Sequence, residues 1–255
     1  MSARLRIIDT GLQPPRWNIA MTAALAELHG AGEISDTLRF QRFQPCVLVG
    51  RNQDIRREVR LDACARRGVA LARRLTGGGA VYMDAGILSW QIVADRRRFG
   101  ADLAAAAEKI CTAVADGLAA LGPPMRFRPP NAIETAGRKI SGAGGYFEGA
   151  TLVYEGTVLV DFDPAVMVEV IHLQDAGDAA PRAHPVTSFA ALGFAPGLAE
   201  LQRAISVSIS NHLCFSIFHG ASSARERVLA DGLSAAKFGT DRFVFGAEYA
   251  RRLPA

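Results

Sequence analysis

Arg73-Arg74-Leu75-Thr76-Gly77-Gly78-Gly79-Ala80-Val81-Tyr82 places three consecutive glycines between two apolar segments. Val69–Leu75 reads as a strand, Thr76–Gly79 as a tight turn, Ala80–Met83 as a return strand and Ile87–Ala94 as a third. Glycine admits positive φ and removes the β-carbon that keeps a ligand off the backbone, so successive amides can point at one anion. Arg73 and Arg74, just upstream, offer planar forks suited to phosphate or carboxylate. The same residues also fit a tight hairpin flanked by surface arginines, and glycine content does not separate the two readings. The run is not a P-loop: no Gly-Lys-Ser/Thr ending follows, and a strand stands where a helix is required. It does not match the dinucleotide fingerprint either.

Upstream of the glycines, Leu5–Ile8 reads as a strand and Asn18–Leu28 as a helix, with apolar residues at near-helical spacing ended by Gly30 and Gly32. Thr37–Arg42 and Val47–Gly50 follow as strands, and Asp62–Arg67 as a short helix closed by Gly68. Downstream, Ala101–Leu121 carries Leu103, Ile110, Val114 and Leu118 near one face and reads as a helix. Met125–Arg128, Ile133–Thr135 and, after a hairpin at Gly137-Arg138, Lys139–Gly142 read as strands, followed by two more at Ala150–Tyr154 and Thr157–Phe162. Ala165–Ile171 turns helical, and Gln174–Pro185 is a polar loop expected to be mobile. Helices over Leu198–Leu213 and Ala224–Ala236 surround a strand at Phe215–Phe218, and Phe243–Phe245 closes as a short strand. Strands in hairpin-like runs without regular intervening helices predict the α+β class, with a mixed, largely antiparallel sheet and flanking helices rather than a doubly wound nucleotide fold.

A second chemical signal lies in Gly137-Arg138-Lys139-Ile140-Ser141-Gly142, a lysine between glycines on an expected strand. A lysine ammonium can reach a phosphate and an acyl carbonyl together and stabilise charge developing on both oxygens. A lone lysine in that setting is ordinarily an exposed edge residue. Gly142, Gly144 and Gly145, directly after it, line a cleft suited to an extended ligand.

The 255 residues, 49% hydrophobic and 21% charged, describe an ordinary globular chain. A net charge of +4 suits phosphate-bearing ligands or an acidic protein partner, and no basic run interleaved with aromatics marks a nucleic-acid face. Cys46, Cys64, Cys111 and Cys214 form no CxxC pair and read as small buried apolar residues. Met1–Asp9 lacks the pattern of a signal peptide and no apolar run approaches the length of a membrane span. A cytoplasmic protein with no membrane partner is expected.

Taken together, these segments resemble a known family. Arg73–Tyr82 resembles the Arg-Arg-x-Ser/Thr-Gly-Gly-Gly-Ala-Val-Tyr signature of lipoate–protein ligases. Gly50-Arg51-Asn52-Gln53 matches the motif that precedes it, and Gly137–Gly142 resembles the Gly-x-Lys-Ile-Ser-Gly segment of the family's essential lysine. Trp17-Asn18-Ile19-Ala20 and Val186-Thr187-Ser188-Phe189 match weaker landmarks in the right order. The resemblance covers nearly the whole chain and implies the biotin/lipoate protein ligase fold. It implies activation of lipoate with ATP and Mg2+ to lipoyl-AMP, then attack by a lysine of a lipoyl-domain or other lipoate-binding acceptor. On that reading Lys139 is the catalytic lysine, contacting phosphate and carbonyl. Arg74, Gly77, Gly78, Gly79, Ala80, Val81, Asn131, Ser141 and Gly142 line the adenylate with it, and no residue is assigned to a metal.

The chain departs from the family pattern at Met83-Asp84, where His-Asp is usual, at Asn131-Ala132 for Asn-Asp, and at Tyr154-Glu155-Gly156-Thr157 for His-His-Gly-Thr. The resemblance implies a single catalytic domain over 1–255, with a core to about 195, a helical extension over 196–255 and the accessory domain absent. A separate accessory subunit then supplies that part, or the domain stands alone. Octanoyltransferases and lipoyl amidotransferases of the same fold form a thioester on a cysteine. That cysteine falls near Pro124 in one branch and just upstream of Val186-Thr187-Ser188 in the other, and this chain has none in either region. Biotin ligase is disfavoured by the missing Gly-Arg-Gly-Arg loop. A non-catalytic lipoyl-adenylate-binding protein is the alternative from outside enzymology.

Overall fold

The computed structural model describes residues 3–172 and 185–246. Its frame is a sheet of β1 (Ala3–Gln13), β2 (Thr37–Phe43), β6 (Ile87–Asp95), β7 (Arg126–Arg128), β8 (Ala132–Thr135), β9 (Arg138–Glu148), β10 (Thr151–Leu159) and β11 (Phe215–His219), in the order β11-β1-β2-β6-β10-β9-β8-β7. The β11–β1 and β1–β2 pairs are parallel and the others antiparallel, as expected for a mixed, largely antiparallel α+β fold.

Alternation along the strands gives this sheet two faces. Leu38, Phe40, Trp90, Ile92, Leu152 and Tyr154 face α4 (Leu103–Ala119) and α6 (Leu198–Leu213) in the main core. On the opposite face Val93 and Val153 pack against Met21, Ala24 and Leu25 of α1 (Pro15–Gly30), which is backed by α7 (Ala224–Leu233). The C-terminal extension is thus built into the fold: β11 is an edge strand of the sheet, and α6 and α7 cover its two faces.

A second, three-stranded sheet has the order β4-β3-β5, from β3 (Cys46–Val49), β4 (Ala70–Arg73) and β5 (Val81–Met83). It packs with α2 (Ile55–Glu58), α3 (Leu61–Arg67), α5 (Pro164–Val170) and α8 (Asp241–Phe245). β3 pairs parallel with β4 and antiparallel with β5. The glycine run therefore does not close a hairpin. It crosses the end of β3 to join the two outer strands, which the expected β4–β5 pairing missed because both flanking segments are short and apolar.

Three further expectations are corrected. Where two strands are expected over Ala150–Tyr154 and Thr157–Phe162, one strand runs unbroken over Thr151–Leu159 in register with β6. Glu155-Gly156 reads as a break, yet Gly156 is needed because a β-carbon there would sit 2.3 Å from the Trp90 ring. Phe243–Phe245 is helical, started by the Thr240 hydroxyl accepting from Phe243 N at 3.3 Å, and so short an apolar run carries no period of its own. The β8–β9 turn sits on Ala136-Gly137, both at positive φ, one residue earlier than expected. The Gln174–Pro185 loop lies outside the described residues except for Pro185.

Candidate functional site

The glycine loop is held from behind. Arg73 and Arg74 are both buried, and their forks grip backbone carbonyls. Arg74 donates from Nη1 to Leu48 O (2.9 Å) and from Nη2 to Gly77 O (2.8 Å) and Gly79 O (2.7 Å). Arg73 donates to Gly50 O (2.9 Å), Gln53 O (2.8 Å) and Val244 O (2.9 Å), tying the loop's neighbours to α8. Burial lowers the pKa of both guanidinium groups, with Glu155 and Glu58 opposing the shift at Arg74. The reading of surface arginines is thereby overturned: both forks are buried and engage the carbonyls that shape the loop.

The Gly50–Gln53 motif has a matching structural cause. A β-carbon on Gly50 would lie 1.8 Å from Gly78 O, Gly78 itself has φ +91°, and Arg51 N donates to Thr76 O at 2.9 Å. The loop rests on Gly50 and cannot do so over any side chain. A carboxylate the sequence did not single out completes the support: buried Glu58 accepts from Ala80 N at 2.9 Å through Oε2.

Lys139 owes its orientation to a bulge. Ile133 pairs with Ser141 but Glu134 pairs with Lys139, so Ile140 is an extra residue in β9. Lys139 and Gly142, three apart, would otherwise face opposite sides of the sheet. With the bulge they share one: a β-carbon on Gly142 would meet Lys139 Cε and Nζ at 2.8 Å. The side chain lies along the glycine floor and its ammonium donates no hydrogen bond to a described residue. Burial, then the charges of Arg74 and Arg128, hold its pKa below the ordinary lysine value, against the opposing pull of Glu134.

Gly144 shares that face and lies under the glycine loop, with Thr76 Cβ 4.0 Å from where its β-carbon would be. The loop and the β9 glycines are therefore the two walls of one cleft, with Lys139 at one end. Asn131, exposed at the start of β8, borders it through its carbonyl, which accepts from Ala143 N at 2.9 Å. Val81 is partly exposed beyond the loop. Ser141 pairs with Ile133 and faces the α4 side, so it offers this cleft its backbone rather than its hydroxyl. The Val186-Thr187 segment runs parallel beside β9: Lys139 N donates to Pro185 O and Thr187 N to Lys139 O, each at 2.9 Å.

The thiols are elsewhere. Cys46, Cys64 and Cys111 are buried, and burial pushes their pKa values up, to about 11 for Cys64 and Cys111. Cys111 sits in the main core against Tyr154 Oη at 3.6 Å. Cys214, the exposed one, caps α6.

The family description "Lipoyl protein ligase A/B catalytic domain" matches residues 14–209. The chain belongs to this family. The lipoyl protein ligase A/B family has members on both sides of an enzymatic divide. Octanoyltransferase LipM of Symbiobacterium thermophilum is 27% identical, over 95% of this chain and 98% of its own. Lipoate-protein ligase A subunit 1 of Thermoplasma acidophilum is also 27% identical, over 96% and 97%. Among solved structures, the bi-partite lipoate protein ligase studied with its E2 lipoyl domain from T. acidophilum superposes with a TM-score of 0.82 at 25% identity, over 96% of this chain and 97% of that one. A lipoate-protein ligase A bound with ATP has the same fold, with a TM-score of 0.82 at 24% identity. Among the described residues, no helix of this family member is long and apolar enough to cross a membrane.

Proposed function

We propose that the chain is an AMP-forming lipoate–protein ligase. The acid's carboxylate attacks the α-phosphorus of ATP and displaces pyrophosphate. The amine of an acceptor lysine then attacks the acyl carbonyl, AMP leaves, and the amine's proton passes to solvent. The glycine loop, shaped by Arg74 and Gly50, receives the phosphate on its amides. Lys139 neutralises charge on the phosphate and on the carbonyl oxygen in the transition state. Mg2+ would accompany the ATP phosphates and offset their charge, the usual mode for this ion, with no residue of this chain assigned to it. The acceptor is a lipoyl-domain or other lipoate-binding protein, and a separate accessory subunit is proposed by analogy with the bi-partite relative from Thermoplasma.

The observation that carries this reading is the Lys139 ammonium lying across Gly142, on the same face as the glycine loop. ATP-independent octanoyl transfer is the second reading, favoured by the similarity to LipM. It requires an accessible thiol beside the lysine, and the buried thiols with raised pKa values speak against it.

Incubation with lipoate, ATP, Mg2+ and a lipoyl-domain acceptor tests both. The ligase reading expects an acceptor mass increase of one lipoyl group that needs ATP and is lost in Lys139→Ala. Octanoyl transfer from an acyl-carrier protein without ATP would refute it, and ligand binding without turnover would point to a non-catalytic binding protein.

A further inference from the structure

The far end of the cleft from Lys139 is polar. Arg39 of β2 pairs with Gln91 of β6, Gln91 with Glu155 of β10, and Glu155 with Gly144 of β9. Residues paired across a sheet share a face, so these four form one row on the face of Lys139 and Gly142. The row ends at Gly144, where a missing side chain leaves Glu155 bordering the cleft beneath Thr76. Gly144 lies two positions along β9 from Gly142, a rise of roughly 7 Å. An acyl group whose carbonyl lies at Lys139 reaches the Glu155 level within a few methylenes.

At that level Glu155 and Gln91 offer acceptors, while the Gln91 side-chain N–H groups are already engaged. Glu155 Oε1 accepts from the Thr76 hydroxyl at 2.8 Å, and Oε2 accepts from Gln91 Nε2 at 3.3 Å. Gln91 Nε2 also donates to Thr22 Oγ1 at 2.8 Å. A carboxylate has about four acceptor sites, so Glu155 has capacity to spare. Gln91 Oε1, on a fully buried side chain, has no hydrogen-bond partner. The guanidinium of Arg39, buried at 0% exposure, faces Asn18 at 2.5 Å and Thr10 at 3.0 Å, and its charge interacts with Glu155.

We propose that Glu155, backed by Gln91, determines specificity at the distal end of the acyl channel, and that the acid activated here carries a hydrogen-bond donor at that end, as a hydroxyl or a reduced dithiol does. This rests on the acyl-adenylate reading above and sharpens its substrate. A plain alkyl or cyclic disulfide tail would cover the half-buried Glu155 carboxylate and leave the orphan Gln91 oxygen unpaired, an uncompensated desolvation. A tail with an O–H or S–H donor restores the lost bonds. A site built to bond a donor rejects the analogue lacking it far more strongly than an apolar pocket rejects a methylene.

Two matched pairs test this on the full chain: 8-hydroxyoctanoate against octanoate, and dihydrolipoate against lipoate. Each acid is titrated by calorimetry for Kd and assayed by ATP-dependent pyrophosphate release for KM and kcat. The donor-bearing member of each pair is expected to bind at least tenfold more tightly, with the effect in KM and little change in kcat. Glu155→Leu is expected to abolish or invert that preference, and the near-isosteric Glu155→Gln, a control against misfolding, to reduce it. Equal affinities within both pairs, or a preference that survives Glu155→Leu, would overturn the inference. Binding without pyrophosphate release refutes the ligase reading while the Kd ratios still decide this one; failure of all four acids to bind overturns both.

Discussion

Gly50 and Gly78 meet backbone to backbone, so closely that a β-carbon on Gly50 would fall 1.8 Å from the Gly78 carbonyl oxygen. The obstacle is main chain and cannot rotate away. Gly50→Ala is therefore expected to displace the glycine loop from Lys139 and lower acyl-adenylate formation about 100-fold. The far-ultraviolet circular dichroism spectrum should stay close to that of the parent. Unchanged pyrophosphate release would show that the loop's position does not matter.

Arg74 satisfies carbonyls of Leu48, Gly77 and Gly79 with one planar group. Its loss strands buried acceptors, so Arg74→Ala should cost about 2–4 kcal/mol in urea unfolding. Arg74→Lys should recover little of this, since a single ammonium cannot reproduce the fork.

Lys139 is stabilising for chemistry and costly for folding. Its pKa is depressed in the folded protein, chiefly by burial. Between the folded and unfolded pKa values the unfolded chain binds more protons, so stability rises with pH across that window. Below the folded pKa the cost of the buried charge is felt in full. Lys139→Met should accordingly abolish transfer while raising Tm near neutral pH by roughly 1–3 °C. Scanning calorimetry across neutral and alkaline pH checks both the sign and the convergence of the two proteins at high pH.

Thiol chemistry provides an independent check on the mechanism. Cys46, Cys64 and Cys111 are buried and Cys214 alone is exposed among the described residues. Iodoacetamide near neutral pH should modify Cys214 and leave ATP-dependent transfer intact, and Cys111→Ser should retain activity. Inactivation that tracks alkylation would instead favour a thioester route.

Much of this was legible in the sequence, and what was not has identifiable causes. The apolar periods of α4 and α6 predict their helices to within a few residues, because each buries one face in the main core, and α1 is legible from its apolar run though it is buried on most sides. The glycine loop and Lys139 announced themselves through local composition. The order β4-β3-β5 did not, since β3 enters between the outer strands from more than twenty residues upstream. The bulge at Ile140 was likewise hidden: it exists only in the register with β8. Glu155 looked like a departure from a motif, and its partners Gln91 and Thr76, 64 and 79 residues away, acquire meaning only across the strands. The carbonyl partners of Arg73 and Arg74 are not legible either, because a sequence does not reveal which carbonyls a fork will find.

Arg73 also fixes the order in which the site can mature. Its bonds to Phe243 O and Val244 O join the glycine loop to residues 170 positions later in the chain. During synthesis the loop and Lys139 leave the ribosome long before residues 243–244 do. The cleft then waits, unfinished, for a segment made about a hundred residues after Lys139. A nascent chain therefore presents a braced glycine loop only once the α8 segment has joined it.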